Sequence, residues 1–154
     1  DLVVLGDLQC SSQVGNITRF KEFTLLCPNE REARIALQEK SIGLEILSQK
    51  LISETSCEKL IMKLGSDGFI VYYRNEKNKI ISQEFPALSV NPLDVTGAGD
   101  SLLAVMAIGL ASKQPILQTA AAGCCMAALA VETMGNAPVK VDELKRKILE
   151  AMED

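Results

Sequence analysis

At 154 residues the chain has single-domain length, enough to bury a core. Apolar residues make up 47% and charged residues 23%, as in ordinary soluble globular proteins, and the net charge of −4 recommends neither a nucleic-acid nor an anionic-membrane partner. Histidine is absent, which excludes Ser-His-Asp and Cys-His nucleophile schemes and every His-based metal site, leaving carboxylates, lysine, backbone amides or a bound ion.

In chain order, strands and helices alternate. Leu2–Leu5 is a short apolar run, followed by a polar loop from Gln9 to about Arg19. Thr24–Cys27 reads as a second short strand stopped by Pro28. Helical spacing follows over Glu30 to about Gln38 and over Leu44 to about Ser53, the latter with Ile46, Leu47, Leu51 and Ile52 on one face. Lys59–Leu64 and Phe69–Tyr73 are β-rich runs around Gly65-Ser66-Asp67-Gly68, and Lys79–Phe85 is a further strand. From Ala98 the chain turns helical. Ala98–Ala111 and Ile116–Val131 are apolar on nearly all sides, which predicts burial of both. Val141–Met152 is amphipathic, with Val141, Leu144, Ile148 and Met152 on one face. This order predicts a layered α/β fold with a mainly parallel sheet.

The uncharged stretch Gln114–Val131 contains Gln118, Thr119 and many small residues, so it reads as a buried helix and not a membrane span. Cys10, Cys27, Cys57, Cys124 and Cys125 form no C-x-x-C pair, and an odd, scattered count reads as reduced thiols in a cytoplasm. The chain opens inside an apolar strand pattern, Asp1-Leu2-Val3-Val4-Leu5-Gly6-Asp7, which suggests a piece of a longer protein.

Three motifs carry chemistry. In Pro92-Leu93-Asp94-Val95-Thr96-Gly97-Ala98-Gly99-Asp100-Ser101, two glycines at a helix start free backbone amides to point at an anion, and the helix adds partial positive charge. A carboxylate in that turn can orient a hydroxyl and take its proton, which suits phosphoryl transfer. The plain alternative is a helix start whose Asp merely favours the dipole. Asn29-Glu30-Arg31-Glu32 reads most simply as a capping box, with Asn at the N-cap and Glu at the third helical position. Lys63-Leu64-Gly65-Ser66-Asp67-Gly68 reads as a hairpin turn. Neither a Walker-type phosphate loop nor a dinucleotide fingerprint is present.

The string Asp-x-Thr-Gly-Ala-Gly-Asp before an apolar helix resembles the C-terminal signature of the PfkB (ribokinase-like) carbohydrate kinases. The resemblance covers nearly the whole chain and implies the ribokinase-like layered fold. It implies that Asp100 is the catalytic base and that Gly97, Ala98 and Gly99 form the anion hole. Asn29 and Glu32 match the family's Asn-x-x-Glu motif, which helps organise Mg²⁺ and phosphates. Lys63, Gly65, Ser66, Asp67 and Gly68 match a Gly-x-x-Gly loop lying along the ATP. Asp94 and Thr96 match positions that hold an activating monovalent cation such as K⁺ with backbone carbonyls. Cys124 falls where related kinases offer an Asn near the adenine, a departure that bears on nucleotide preference because a thiol is a poor substitute for an amide. The segment Asp7–Phe20 is similar to bacterial heptose-phosphate kinases.

The resemblance therefore implies ATP-dependent phosphorylation of a sugar or sugar-phosphate hydroxyl. Two alternatives stay open: a kinase of a nucleoside or vitamin-type alcohol, and a nucleotide-binding module without turnover. Family members are about twice this length, and their N-terminal half supplies the sugar pocket and a β lid. This chain alone is thus expected to lack sugar kinase activity. Family dimers usually form through that lid, which allows a homodimer of the full-length protein.

Overall fold

A computed structural model of the chain describes residues 2–8, 15–89, 92–135 and 137–153. Asp1, Cys10 and the first part of the loop expected from Gln9 lie outside the described residues. The chain divides into two compact units, Asp1–Glu84 and Phe85–Asp154.

The first unit is built on a sheet. Strands β1 (Leu5–Gly6), β2 (Leu25–Leu26), β3 (Lys59–Lys63), β4 (Phe69–Arg74) and β5 (Ile80–Phe85, ending at the unit boundary) lie in that spatial order. The first two pairings are parallel, with Leu5 opposite Leu25 and Leu26 opposite Leu60. The β3–β4 pairing is antiparallel, with Ile61 opposite Val71. The expected parallel sheet is thus parallel where it begins and mixed beyond β3. Parallel strands need a crossover of about a dozen residues or more, and the five-residue link Leu64–Gly68 between β3 and β4 is too short for one, which dictates the change of direction.

Helices α1 (Glu30–Leu37) and α2 (Leu44–Thr55) belong to the same unit. Pro28 cannot continue β2, and Asn29 then opens α1. In α2, Leu47, Ser48, Leu51, Ile52 and Thr55 recur at helical spacing and are buried. Ile46, expected on that face, is 54% exposed, because the apolar stripe runs one position later than the reading from sequence placed it. The core gathers Ile17, Leu26, Leu47, Leu51, Leu60, Met62, Ile70 and Tyr72. Fully burying one such leucine contributes roughly 1.5–3 kcal/mol. Gly6 permits close packing here, since a Cβ would stand 2.8 Å from Leu26 Cδ2 and 3.0 Å from atoms of Phe20 and Phe23.

The second unit is helical: α3 (Ala98–Ala111), α4 (Ile116–Val131) and α5 (Val141–Glu153). The four-residue link between α3 and α4 makes them antiparallel neighbours. The expectation of burial holds for α4, which buries eight residues including Cys124 and Cys125. It fails for α3, where Leu102 and Met106 are buried and Ile108 is 69% exposed. On α5, Leu144 and Ile148 are half-buried, but Val141 and Met152 of the expected face are exposed. Lys147 of α5 pairs with Glu132 just beyond α4 at 3.1 Å. Among the described residues no helix is long and apolar enough to cross a membrane.

Candidate active site

In the first unit, the candidate residues cluster where β1, β2 and β3 end. Asn29 Oδ1 accepts from the Glu32 N–H at 2.8 Å, and Glu32 Oε2 accepts from the Asn29 N–H at 2.8 Å. The expected capping box is therefore complete, and it fixes Glu32 in a buried position, 3% exposed. Asn29 also forms a lone parallel bridge with Lys63, whose N–H donates to Pro28 O at 2.9 Å. This stitches the start of α1 to the end of β3.

Lys63 Nζ donates to both carboxylate oxygens of Asp7 at 2.7 Å. Both side chains are largely shielded, and the pair spans β2, which lies between β1 and β3. Asp7 was missed from the sequence as a partner of Lys63, because 56 residues separate the two. The one available signal was a carboxylate directly after an apolar strand. Beneath the pair, burial pushes the Cys27 thiol up to about 12; the Asp7 charge adds to this and Lys63 partly offsets it.

Beyond Lys63, the residues Gly65-Ser66-Asp67 form one 3-10 turn, with Leu64 N–H bonded to Gly68 O at 2.8 Å. Gly65 has φ +63° and Gly68 φ +91° with ψ −130°, the latter a region open essentially to glycine alone. Gly65, Ser66 and Asp67 are exposed. An open cleft of about 500 Å³ lies against this region, with Asn29, Lys63 and Gly65 in its lining. Arg31 and Arg34 of α1 also line it, and reading the sequence had not singled them out.

In the second unit, Gly97 is the N-cap of α3 with φ +82°, a backbone that only glycine adopts without strain. Ala98, Gly99 and Asp100 form the first turn of α3, where backbone N–H groups have no partner inside the helix, and the Ala98 N–H reaches Val95 O of the preceding loop at 3.4 Å. Gly97, Ala98 and Gly99 are half-buried and Asp100 is exposed. Asp94 Oδ1 accepts from Thr96 N–H at 2.9 Å and Oδ2 from Gly135 N–H at 3.2 Å. Hydrogen bonds from the Thr96 side chain, then from the Thr96 and Gly135 backbone, hold the Asp94 carboxyl below its usual range. The loop is further tied by Leu93 N–H to Val131 O at 2.8 Å.

Cys124 is buried, and its thiol donates to Pro86 O at 3.1 Å. Burial pushes that thiol up to about 11, and Cys125 beside it adds to the shift. Burial likewise raises the Cys125 thiol, against a partial offset from Lys147. Among the described residues no group of three or more Cys, Asp or Glu gathers as a metal cage.

The sequence pattern of the pfkB family carbohydrate kinases matches residues 10–142. Among curated proteins, the chain is 29% identical to a bifunctional protein HldE from Syntrophotalea carbinolica over 131 residues, which is 82% of this chain and 26% of that protein. It is 33% identical to a bifunctional protein HldE from Campylobacter jejuni over 133 residues, 84% of this chain and 28% of that one. The chain therefore spans about a quarter of the length of these relatives. Among solved structures, a ribokinase from Thermotoga maritima superposes with a TM-score of 0.78 at 24% identity, covering 96% of this chain and 49% of that one. The ribokinase of Arabidopsis thaliana, complexed with ribose and ATP, gives a TM-score of 0.76 at 20% identity, covering 96% of this chain and 47% of its own. These structural likenesses establish the ribokinase-like fold, and the family match over most of the chain settles membership: the chain belongs to the pfkB family of carbohydrate kinases.

Proposed function

We propose that the protein to which this chain belongs transfers the γ-phosphate of ATP to a hydroxyl of a sugar or sugar phosphate. The observation that carries this reading is the Gly97 left-handed cap, which opens α3 with Asp100 in its first turn, within a family of carbohydrate kinases. Phosphoryl transfer asks mainly for positioning and charge neutralisation. Asp100 is exposed to an incoming hydroxyl and takes its proton as the phosphate moves. The Gly97, Ala98 and Gly99 amides offer donors to the negative charge that builds on the transferred group.

The first unit contributes the nucleotide side, with the 63–68 turn lying along ATP. Mg²⁺ keeps several waters and takes phosphate oxygens readily, so one fixed carboxylate, that of Glu32, is a sufficient protein contribution and fits the ion. Asn29 acts through Glu32 by holding it in place. When bound, Mg²⁺ neutralises phosphate charge. Asp94, its carboxyl held below the usual range, would favour a neighbouring K⁺, which the backbone carbonyls of Asp94 and Thr96 would hold. Cys124 would meet the adenine without the hydrogen bonding of an amide. The remainder of the full-length protein supplies the sugar pocket, and reduced thiols fit a cytoplasmic setting.

The test is a phosphorylation assay of the full-length protein against sugars, sugar phosphates, nucleosides and vitamin-type alcohols, beside its Asp100→Asn variant. An active parent is expected, with kcat about 10²- to 10⁴-fold lower in the folded variant. ATP binding without turnover on any acceptor would instead establish a nucleotide-binding module. Turnover confined to a nucleoside or vitamin alcohol would reassign the acceptor.

A further inference from the structure

The three parallel strands are joined by little backbone. β1 meets β2 through two residue pairs, Leu5–Leu25 and Gly6–Leu26, and β2 meets β3 through two more, Leu25–Lys59 and Leu26–Leu60. Ladders so short leave the strand ends weakly fixed, and those ends are where the candidate residues of this unit gather.

One ion pair reaches across all three strands. Lys63, the last residue of β3, donates through Nζ to both carboxylate oxygens of Asp7, the residue after β1, at 2.7 Å. The two side chains are 20% and 12% exposed, so water screens the attraction little. Desolvation offsets much of the Coulomb gain of such a pair, and its net contribution to stability is small.

Lys63 is also a backbone joint. Its N–H donates to Pro28 O at 2.9 Å, and it bridges Asn29, the cap that holds Glu32. The next residue, Leu64, closes the Gly65–Gly68 turn by donating to Gly68 O at 2.8 Å. Asn29, Lys63 and Gly65 line one cleft. Moving the end of β3 therefore moves the cap and the turn together.

We propose that Asp7 is a positioning residue for the nucleotide. By gripping Lys63 across β2 it sets where β3 ends, and so where the turn and the Asn29–Glu32 box stand. This rests on the kinase reading above, and Asp7 acts only through Lys63.

The experiment measures MgATP binding by titration calorimetry on the full-length protein, its Asp7→Asn and Lys63→Met variants, and the exchange Asp7→Lys/Lys63→Asp. The exchange keeps the summed length of the two arms and reverses their charges. Each single variant is expected to bind MgATP about 3- to 30-fold more weakly, the span of couplings within one ion-pair network. The exchange should recover most of that loss, whereas a lysine that touched phosphate directly would leave a repelling carboxylate in its place. In turnover, Asp7→Asn should raise KM for MgATP and leave kcat unchanged, since Asp100 belongs to the other unit.

A pair that serves stability alone would lower the melting temperature of Asp7→Asn and leave its MgATP binding at the parent's value, which overturns the proposal. An exchange variant that binds no better than the single variants overturns it too, as does a fall in kcat with KM unchanged. Where a single variant does not fold, the exchange decides: binding near the parent's supports the pair, and weaker binding removes it. A parent that binds MgATP and phosphorylates no acceptor ends the kinase reading, while the binding comparison still judges Asp7. A parent that binds no MgATP removes both.

Discussion

Cys27, at the end of β2, concentrates the electrostatics of the first unit into one titratable group. It is 1% exposed, and the Asp7 carboxylate lies close enough to disfavour a thiolate further. Its folded value, about 12, stands above the ordinary 9.0, so stability is intact below about pH 9 and is lost as pH rises toward 12. Once the unfolded thiol ionises, each further pH unit removes about 1.4 kcal/mol. Urea unfolding at neutral and alkaline pH should therefore show a steeper loss in the parent than in Cys27→Ala; equal slopes would contradict the assignment. At this scale the sequence revealed local pairs well. The Asn29–Glu32 capping box depends on three-residue spacing, and it formed as read. The Asp7–Lys63 pair depends on two strands lying either side of β2, which no local pattern encodes.

Between elements, α3 and α4 approach closely through two glycines. A Cβ on Gly109 would stand 2.2 Å from Thr119 Cγ2, and one on Gly123 would stand 2.6 Å from Leu102 Cδ1. Thr119 and Leu102 are both buried, so neither can swing into solvent. Gly123→Val should cost about 1–3 kcal/mol by overpacking. Gly109→Ala should destabilise in the parent, although alanine is the better helix former by about 1 kcal/mol. Removing the obstructing methyl with Thr119→Ala should recover most of that loss, so a double-mutant cycle by thermal melting would show strong coupling. Additive effects would mean that the two helices move apart freely. The boundaries of α3 and α4 were legible, since Gly97 and Pro115 bracket them. The buried stripe of α3 was not. A helix apolar on all sides carries no period to select a face, so Ile108 looked as much like core as Met106.

For the whole molecule, the chain covers 49% of the Thermotoga maritima ribokinase and 26% of the Syntrophotalea carbinolica relative. A coupled assay on the 154-residue chain alone should detect no sugar phosphorylation and at most weak ATP binding; measurable turnover would show that the sugar-binding elements are dispensable. By itself the sequence determined the α/β class, most element boundaries, the family and the turn chemistry of Gly65–Gly68 and Gly97, because these follow from spacing and from backbone preferences local in the chain. Tertiary structure decided the turn from parallel to antiparallel after β3, the stripe that α3 buries and the commitment of Lys63 to Asp7. Each of these depends on which distant groups meet, and burial and charge pairing are settled only by packing in three dimensions.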